Sequence, residues 1–153
     1  MKIEIKFDPS NFLKGLDMAN KIVLEAVERG VGVAMLSMLG DCINESPTVP
    51  LKEGWLRGSG SVFVQNKFID SSEKMATAKA KFALTAHSEP IQKEETVGVI
   101  GFNAPYASRL HEGIDFHFTE PSSGPKYLEA KMHSNKERYM KIVAEEVKKG
   151  LEK

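Results

Sequence analysis

A single cysteine, a single tryptophan and no net charge are what this 153-residue chain has least of. With Cys42 alone, no disulfide can form within the chain, so a reducing compartment is the simpler expectation. Cys42 stands in an apolar run with no neighbouring histidine or activating field, and it reads as a small buried hydrophobe rather than a nucleophile. Twenty-one basic residues balance twenty-one acidic ones, in segments of about −2 (1–50), −1 (51–120) and +3 (121–153). Such a balance supplies no broad field for gripping phosphates, which weighs against a dedicated nucleic-acid binder. No apolar window reaches the roughly 18 residues of a membrane span, because the run Val31 to Leu39 is stopped by Gly40 and Asp41. The start, MKIEIKF, lacks the apolar centre of a secretory leader, so none is expected. Gly58-Ser59-Gly60 does not have the pattern of a phosphate loop. Ser59 and Ser61 have no motif to announce a partner base.

What is present is organised around Thr96 to Gly113, TVGVIGFNAPYASRLHEG. Val97, Val99 and Phe102 mark a strand, and Asn103 and Pro105 turn the chain, because a residue before proline is pushed out of the α region. Tyr106 to Glu112 then predicts two turns of helix, with Tyr106, Ala107 and Leu110 spaced to cover the sheet.

Upstream, Ile3, Ile5 and Phe7 alternate with Glu4 and Lys6, as in a half-buried strand or an extended arm. Beyond a Ser10 or Asn11 cap, helical spacing predicts a long helix from Phe12 to about Ile43. Its second half is apolar nearly all round and must be covered on all faces, within the fold or by another subunit. Gly30 and Gly32 suggest a kink or a close crossing there. Glu45 to Gly60 is a turn-rich link with no regular structure expected before Trp55. Trp55 itself reads as a packing plug. Leu56 to Asn66 reads as a strand with Val62 and Val64 on one face and Phe63 on the other. Over residues 67–95 the periodicity fits either helix or strand; the favoured reading is a strand from Ala76 to His87, antiparallel to Val62 to Phe68, with Ser88 to Glu95 as a turn. Ile114 to Gly124 is a long loop carrying Ile114, Phe116 and Phe118, which must tuck beneath it or meet a partner. Pro125 opens a second amphipathic helix, capped by Ser123 or Gly124 and ending near Gly150.

The whole predicts one α+β domain over residues 1–153: the two long helices packed on a small mixed or antiparallel sheet of three to five strands, with a short helix after the central strand. The densest polar cluster is His111, Glu112, Asp115, His117 and Glu120. A metal taking His111, Asp115 and His117, or a hydrolytic site centred on His111 and His117, is the competing enzymatic reading. The segment HEGID does not place two histidines on one helical face, so no metal or other cofactor is expected. Arg109 and Glu112 have the spacing of a local ion pair. Lys126, Lys131, Lys136, Lys141, Lys148 and Lys149 with Arg138 are interleaved with glutamates, which reads chiefly as a solvated face and secondarily as a surface facing DNA.

Taken together, Val49-Pro50 through Gly54-Trp55-Leu56-Arg57-Gly58-Ser59, the stretch Val99 to Gly113, and Gly124 to Glu129 (GPKYLE) resemble the tail-completion and minor structural proteins of tailed bacteriophages related to the HK97 gene-10 product. The resemblance spans roughly residues 10–150 and is weakest over 67–95. It implies a noncatalytic α+β subunit of a ring, usually a hexamer, at the neck or head-proximal tail, assembled from the host cytoplasm into the virion. Its partners would be other copies, neck, connector or tail-tube proteins, and DNA passing nearby; no membrane is implied. Contact candidates are Val31, Val33, Leu36 and Leu39 in the apolar half-helix, and Val49, Pro50 and Arg57 in the link. The corner and loop add Tyr106, Arg109, His111, Glu112, Ile114, Phe116, His117 and Phe118.

Overall fold

The structure is a computed structural model that describes residues 1–7, 21–73 and 95–152. Strands β1 (Lys2–Phe7), β2 (Gly60–Val64), β3 (Lys67–Ser71) and β4 (Thr96–Phe102) form one antiparallel sheet in the order β1-β4-β2-β3. The helices are α1 (Lys21–Asn44), α2 (Trp55–Gly58), α3 (Ala107–Glu112), α4 (Tyr127–Ser134) and α5 (Lys136–Leu151). This is the expected α+β class, with β4 at the centre and the short α3 following it. Phe12 to Asn20, the proposed strand Ala76 to His87 and the turn from Ser88 to Glu94 lie outside the described residues.

Alternation decides which way each strand faces. In β1, Ile3 and Ile5 pack against the core while Lys2, Glu4 and Lys6 are exposed. In the middle of the sheet, Val62, Val64, Ile100 and Phe102 join Val31, Met35, Met38 and Leu39 of α1 in the main core. Phe63, Val97 and Val99 form a separate cluster, as the period of two requires. α1 can approach because Gly98 has no side chain: a Cβ there would lie 2.7 Å from Val31 Cγ1.

The predicted strand over Leu56 to Asn66 is shorter than expected. Gly54, in the left-handed region at φ 82°, opens a single helical turn over Trp55–Gly58, and pairing begins only at Gly60. The strand does not continue to Phe68 either. Gln65 and Asn66 both have positive φ (51° and 62°), the combination of a type I′ hairpin turn, whose twist matches that of the flanking strands. Phe68 therefore belongs to β3, an element that alternation alone did not mark, and it meets Phe63 edge to face at 5.6 Å.

The all-round apolar half of α1 is covered chiefly by its own subunit: Val31, Ala34, Met35, Met38 and Leu39 are buried, and only Val33 is exposed. Burying each of the larger ones contributes about 1.5–3 kcal/mol. α5 lies along α1 through a close crossing. A Cβ on Gly30 would stand 3.1 Å from the Val143 backbone, and one on Gly150 would stand 2.6 Å from Ala26 Cβ. Gly150 is thus a packing position in the last turn of α5, which ends at Leu151, near the expected Gly150.

The C-terminal segment is two helices rather than one. Pro125 precedes the helix instead of opening it; Lys126 sits at φ 57° and α4 begins at Tyr127. The break between α4 and α5 falls at Asn135, whose Nδ2 donates to Glu45 Oε2 at 3.0 Å and Asp41 Oδ2 at 3.3 Å. Tyr139 Oη also donates to Asp41 Oδ2, at 2.6 Å, and Arg138 pairs with the same carboxylate. The C-terminal turns of α1 thereby anchor the bend. Among the described residues, no helix is long and apolar enough to cross a membrane.

Candidate functional site

The chain after β4 turns on Ser59. Asn103 donates from its backbone N to Ser59 O at 3.1 Å and from Nδ2 to Ser59 O and Ser61 Oγ, also at 3.1 Å. Ala104 N donates to Ser59 Oγ at 3.2 Å, and Ala107 N to Ala104 O at 2.9 Å. This fixes the start of α3, whose Ala107 and His111 are buried and whose Leu110 packs on the core. Tyr106 does not cover the sheet: it immediately precedes the helix and is exposed. The loop that follows has no helix or strand, as expected, and is folded by backbone bonds such as Phe116 N to Gly113 O at 3.1 Å.

Link and loop are joined at their base. Thr48 N donates to Ser122 O at 2.8 Å, Gly124 N donates to Thr48 O at 3.3 Å, and Thr48 and Ser123 form an isolated parallel bridge. Arg57 crosses the same junction: Nε donates to Val49 O at 2.7 Å, and the guanidinium pairs with Glu120, which also accepts from Ser123 Oγ at 2.8 Å. Between link and loop lies a groove with a cavity volume of about 670 Å³. Leu51, Trp55, Tyr106, Phe116 and Phe118 supply its apolar wall, and Arg109, His117 and Glu53 its charged or polar edge. Trp55 is no plug, since 38% of it is exposed here. Arg109 lies over the Phe116 ring at 5.6 Å. Burial, and then the Glu53 charge, raise the Tyr106 hydroxyl above its usual range.

The polar cluster is divided between core and surface. His111 is buried and meets Tyr127 edge to face at 5.0 Å. Its Nδ1 is 2.7 Å from Glu112 Oε1, and Glu129 N donates to Nε2 at 3.4 Å. Lys126 pairs with Glu112 and, at 3.1 Å, with Glu129. Its bond to Glu112, reinforced by His111, holds that carboxyl below its usual range, and the same bond raises the Lys126 ammonium. Among the described residues, His111, Glu112 and Glu129 are the one group of three whose ligand-type atoms converge, within 4.8 Å. Both ring nitrogens of His111 are engaged and the Lys126 ammonium already bridges the two carboxylates, so the trio does not fit a metal without displacing Lys126. Asp115 and His117 stand exposed on the loop, apart from this trio.

Of the other contact candidates, Val31, Leu39 and Val49 are buried within the subunit, and Leu36 is half-buried against its core. Val33 is exposed on α1, Pro50 lines the groove, and Ile114 is 71% exposed beside it in sequence. Arg57 is spent on the link and on Glu120, and Glu112 on Lys126 and His111. On α5, Arg138 pairs with Asp41 and Lys149 with Glu146. Sequence reasoning missed Lys131, a lysine on a mixed-charge face that is in fact buried and donates from Nζ to Pro47 O at 3.0 Å. Burial holds its ammonium below the usual range. Buried beside it, Cys42 has its thiol pushed up to about 12 by desolvation. No protein-family model, no curated protein and no solved structure matches this chain.

Proposed function

We propose that this chain is a structural subunit of the neck or head-proximal tail of a tailed bacteriophage, one copy of a ring, expected to be a hexamer, that joins tail to head around the DNA channel. It acts by contact, not catalysis. The observation that carries this reading is the groove: the link and the loop are bonded to each other and together present Leu51, Trp55, Tyr106 and Phe116 to solvent. Clustered exposed apolar groups with a polar rim mark a contact surface. The polar cluster supports the same reading, because His111, Glu112, Lys126 and Glu129 are engaged with one another. A hydrolytic or metal site centred on His111 and His117 draws no support from their placement, one in the core and one on the groove. A DNA-binding role for the C-terminal helix draws little, since Arg138 and Lys149 are paired with acids.

The test is the position and copy number of this chain in an intact particle by electron cryomicroscopy. Density for a ring of copies at the neck or tail top is expected. A place outside the neck and tail, or one or two copies per particle, overturns the proposal.

A further inference from the structure

A head-to-tail ring needs two unlike, complementary surfaces on every subunit. We infer that these are the aromatic groove and strand β3 of the β2–β3 hairpin, the hairpin of one copy seating in the groove of the next, a pairing that rests on the ring reading above. The hairpin also exposes large apolar groups together: Phe68 is 51% exposed and Ile69 41%. Successive residues of a strand point to opposite faces, so β3 offers apolar surface on both sides. Among the described residues β3 has one sheet neighbour, β2, and an apolar strand in that position is a template for association.

Placement favours a neighbouring copy over a contact within the subunit. The hairpin turn at Gln65 bonds to Val97, at the start of β4, whereas the groove is built on the corner at Asn103, just past its end. The register sets Phe68-Ile69 level with Val99–Ile100 of β4, and the remaining strand length to Asn103 with two strand spacings keeps the patches about 15 Å apart. Two such patches on one copy cannot meet each other, but they can meet on successive copies, and rotation between copies then closes the chain of contacts. Charge agrees. Lys67 and Asp70 flank the Phe68-Ile69 pair, while Lys52, Glu53 and Arg109 line the groove, so each hairpin charge has an opposite partner available. Glu120, the other groove acid, is already neutralised by Arg57.

The experiment uses the full chain and its lone tryptophan, which lies in the groove and reports occupancy by its emission. Two variants are prepared: Leu51→Glu with Tyr106→Glu, which spoils the groove, and Phe68→Ser with Ile69→Asp, which spoils the hairpin. Because Phe68 also packs on Phe63, Ile69→Asp alone is carried as a milder hairpin variant, and circular dichroism checks that each is folded. Wild type is expected to associate as concentration rises to about 1 mM, with a blue shift of Trp55 emission. Each variant alone should associate at least about tenfold more weakly. A one-to-one mixture of the two should form a dimer and stop there, because one good groove and one good hairpin remain. Variants that assemble like wild type, a mixture that gives no dimer, or wild type that stays monomeric with unshifted emission would each overturn the pairing. The particle experiment decides the ring reading separately, so a ring whose neighbours meet elsewhere is distinguishable from no ring.

Discussion

Arg57 and Glu120 are 63 positions apart in sequence and form the ion pair that closes the base of the groove. The Arg57 side chain is largely buried, and it also holds Val49 O and Thr48 Oγ1, so one residue ties the link to the loop. Arg57→Ala leaves the Glu120 carboxylate without its cation and the buried Val49 carbonyl without the Arg57 donor, at a cost of about 2–3 kcal/mol. Arg57→Lys should recover only part of this, because an ammonium cannot reproduce the planar fork. Urea denaturation measures the loss, and Trp55 emission should shift to the red as the groove loosens. Unchanged emission in a destabilised Arg57→Ala would show that the pair does not shape the groove.

Two glycines of the same helix should respond to alanine with opposite sign. Gly30 faces the Val143 backbone at 3.1 Å from a Cβ, so Gly30→Ala forces α5 outward and should cost about 1–3 kcal/mol. Gly40 has nothing within 4 Å, and Gly40→Ala there should stabilise by about 0.5–1 kcal/mol through helix propensity alone. Thermal melts of the two variants, differing in sign of the Tm shift, would test the α1–α5 crossing directly.

The groups buried with Cys42 predict weakening at alkaline pH. Desolvation raises the Cys42 thiol from 9.0 to about 12, so between these values the unfolded chain loses a proton that the folded chain keeps. The stability present below pH 9 is therefore lost progressively as pH rises toward 12. Burial of the Tyr127 and Tyr139 hydroxyls acts in the same direction, while Lys131, depressed by desolvation below 10.5, opposes it. Replacing the thiol by Cys42→Val should flatten the fall in Tm between pH 8 and about 10, by linkage. In the native protein a thiol reagent should react with Cys42 only as fast as the chain opens. Immediate labelling at pH 8 would contradict that burial.

Apolar patterning and turn chemistry carried much of the fold: the strand Thr96–Phe102, the α3 turns and the apolar half of α1 were legible from their buried apolar residues, and the turn at Asn103 from Pro105. What escaped were features set by single residues. The hairpin at Gln65-Asn66 lacks glycine, so the positive φ values that define it leave no mark on composition. Lys126 likewise takes a left-handed conformation without the glycine that would announce it, which displaced the predicted helix start by two residues. The break at Asn135 is stabilised by Asp41 and Glu45, 94 and 90 positions away. At the site, the link and loop could be named as candidate contact segments from their turn residues and aromatics. Their junction through Arg57 and Glu120 is a long-range pairing that no local pattern encodes.

Lys126 occupies the place a cation would take among His111, Glu112 and Glu129, and its removal should turn a self-satisfied cluster into a metal site. The wild-type ammonium bonds to both carboxylates, so a divalent ion must displace a tethered charge, and zinc should leave the wild-type Tm nearly unchanged. Lys126→Gly removes that competitor and suits the local φ of 57°, where a side chain is disfavoured. The loss of the ion pairs themselves is small because they are exposed. In this variant two carboxylates and an imidazole remain within 4.8 Å, a set suited to zinc once His111 releases one of its present bonds. Adding zinc in excess of its Kd should then raise the Tm of Lys126→Gly by several degrees, since binding to the folded state alone stabilises it as the logarithm of one plus the ratio of free zinc to Kd. His111→Asn in the same background should abolish the shift. A zinc-dependent rise in the wild-type protein of similar size would instead revive the metal-site reading that Lys126 argues against.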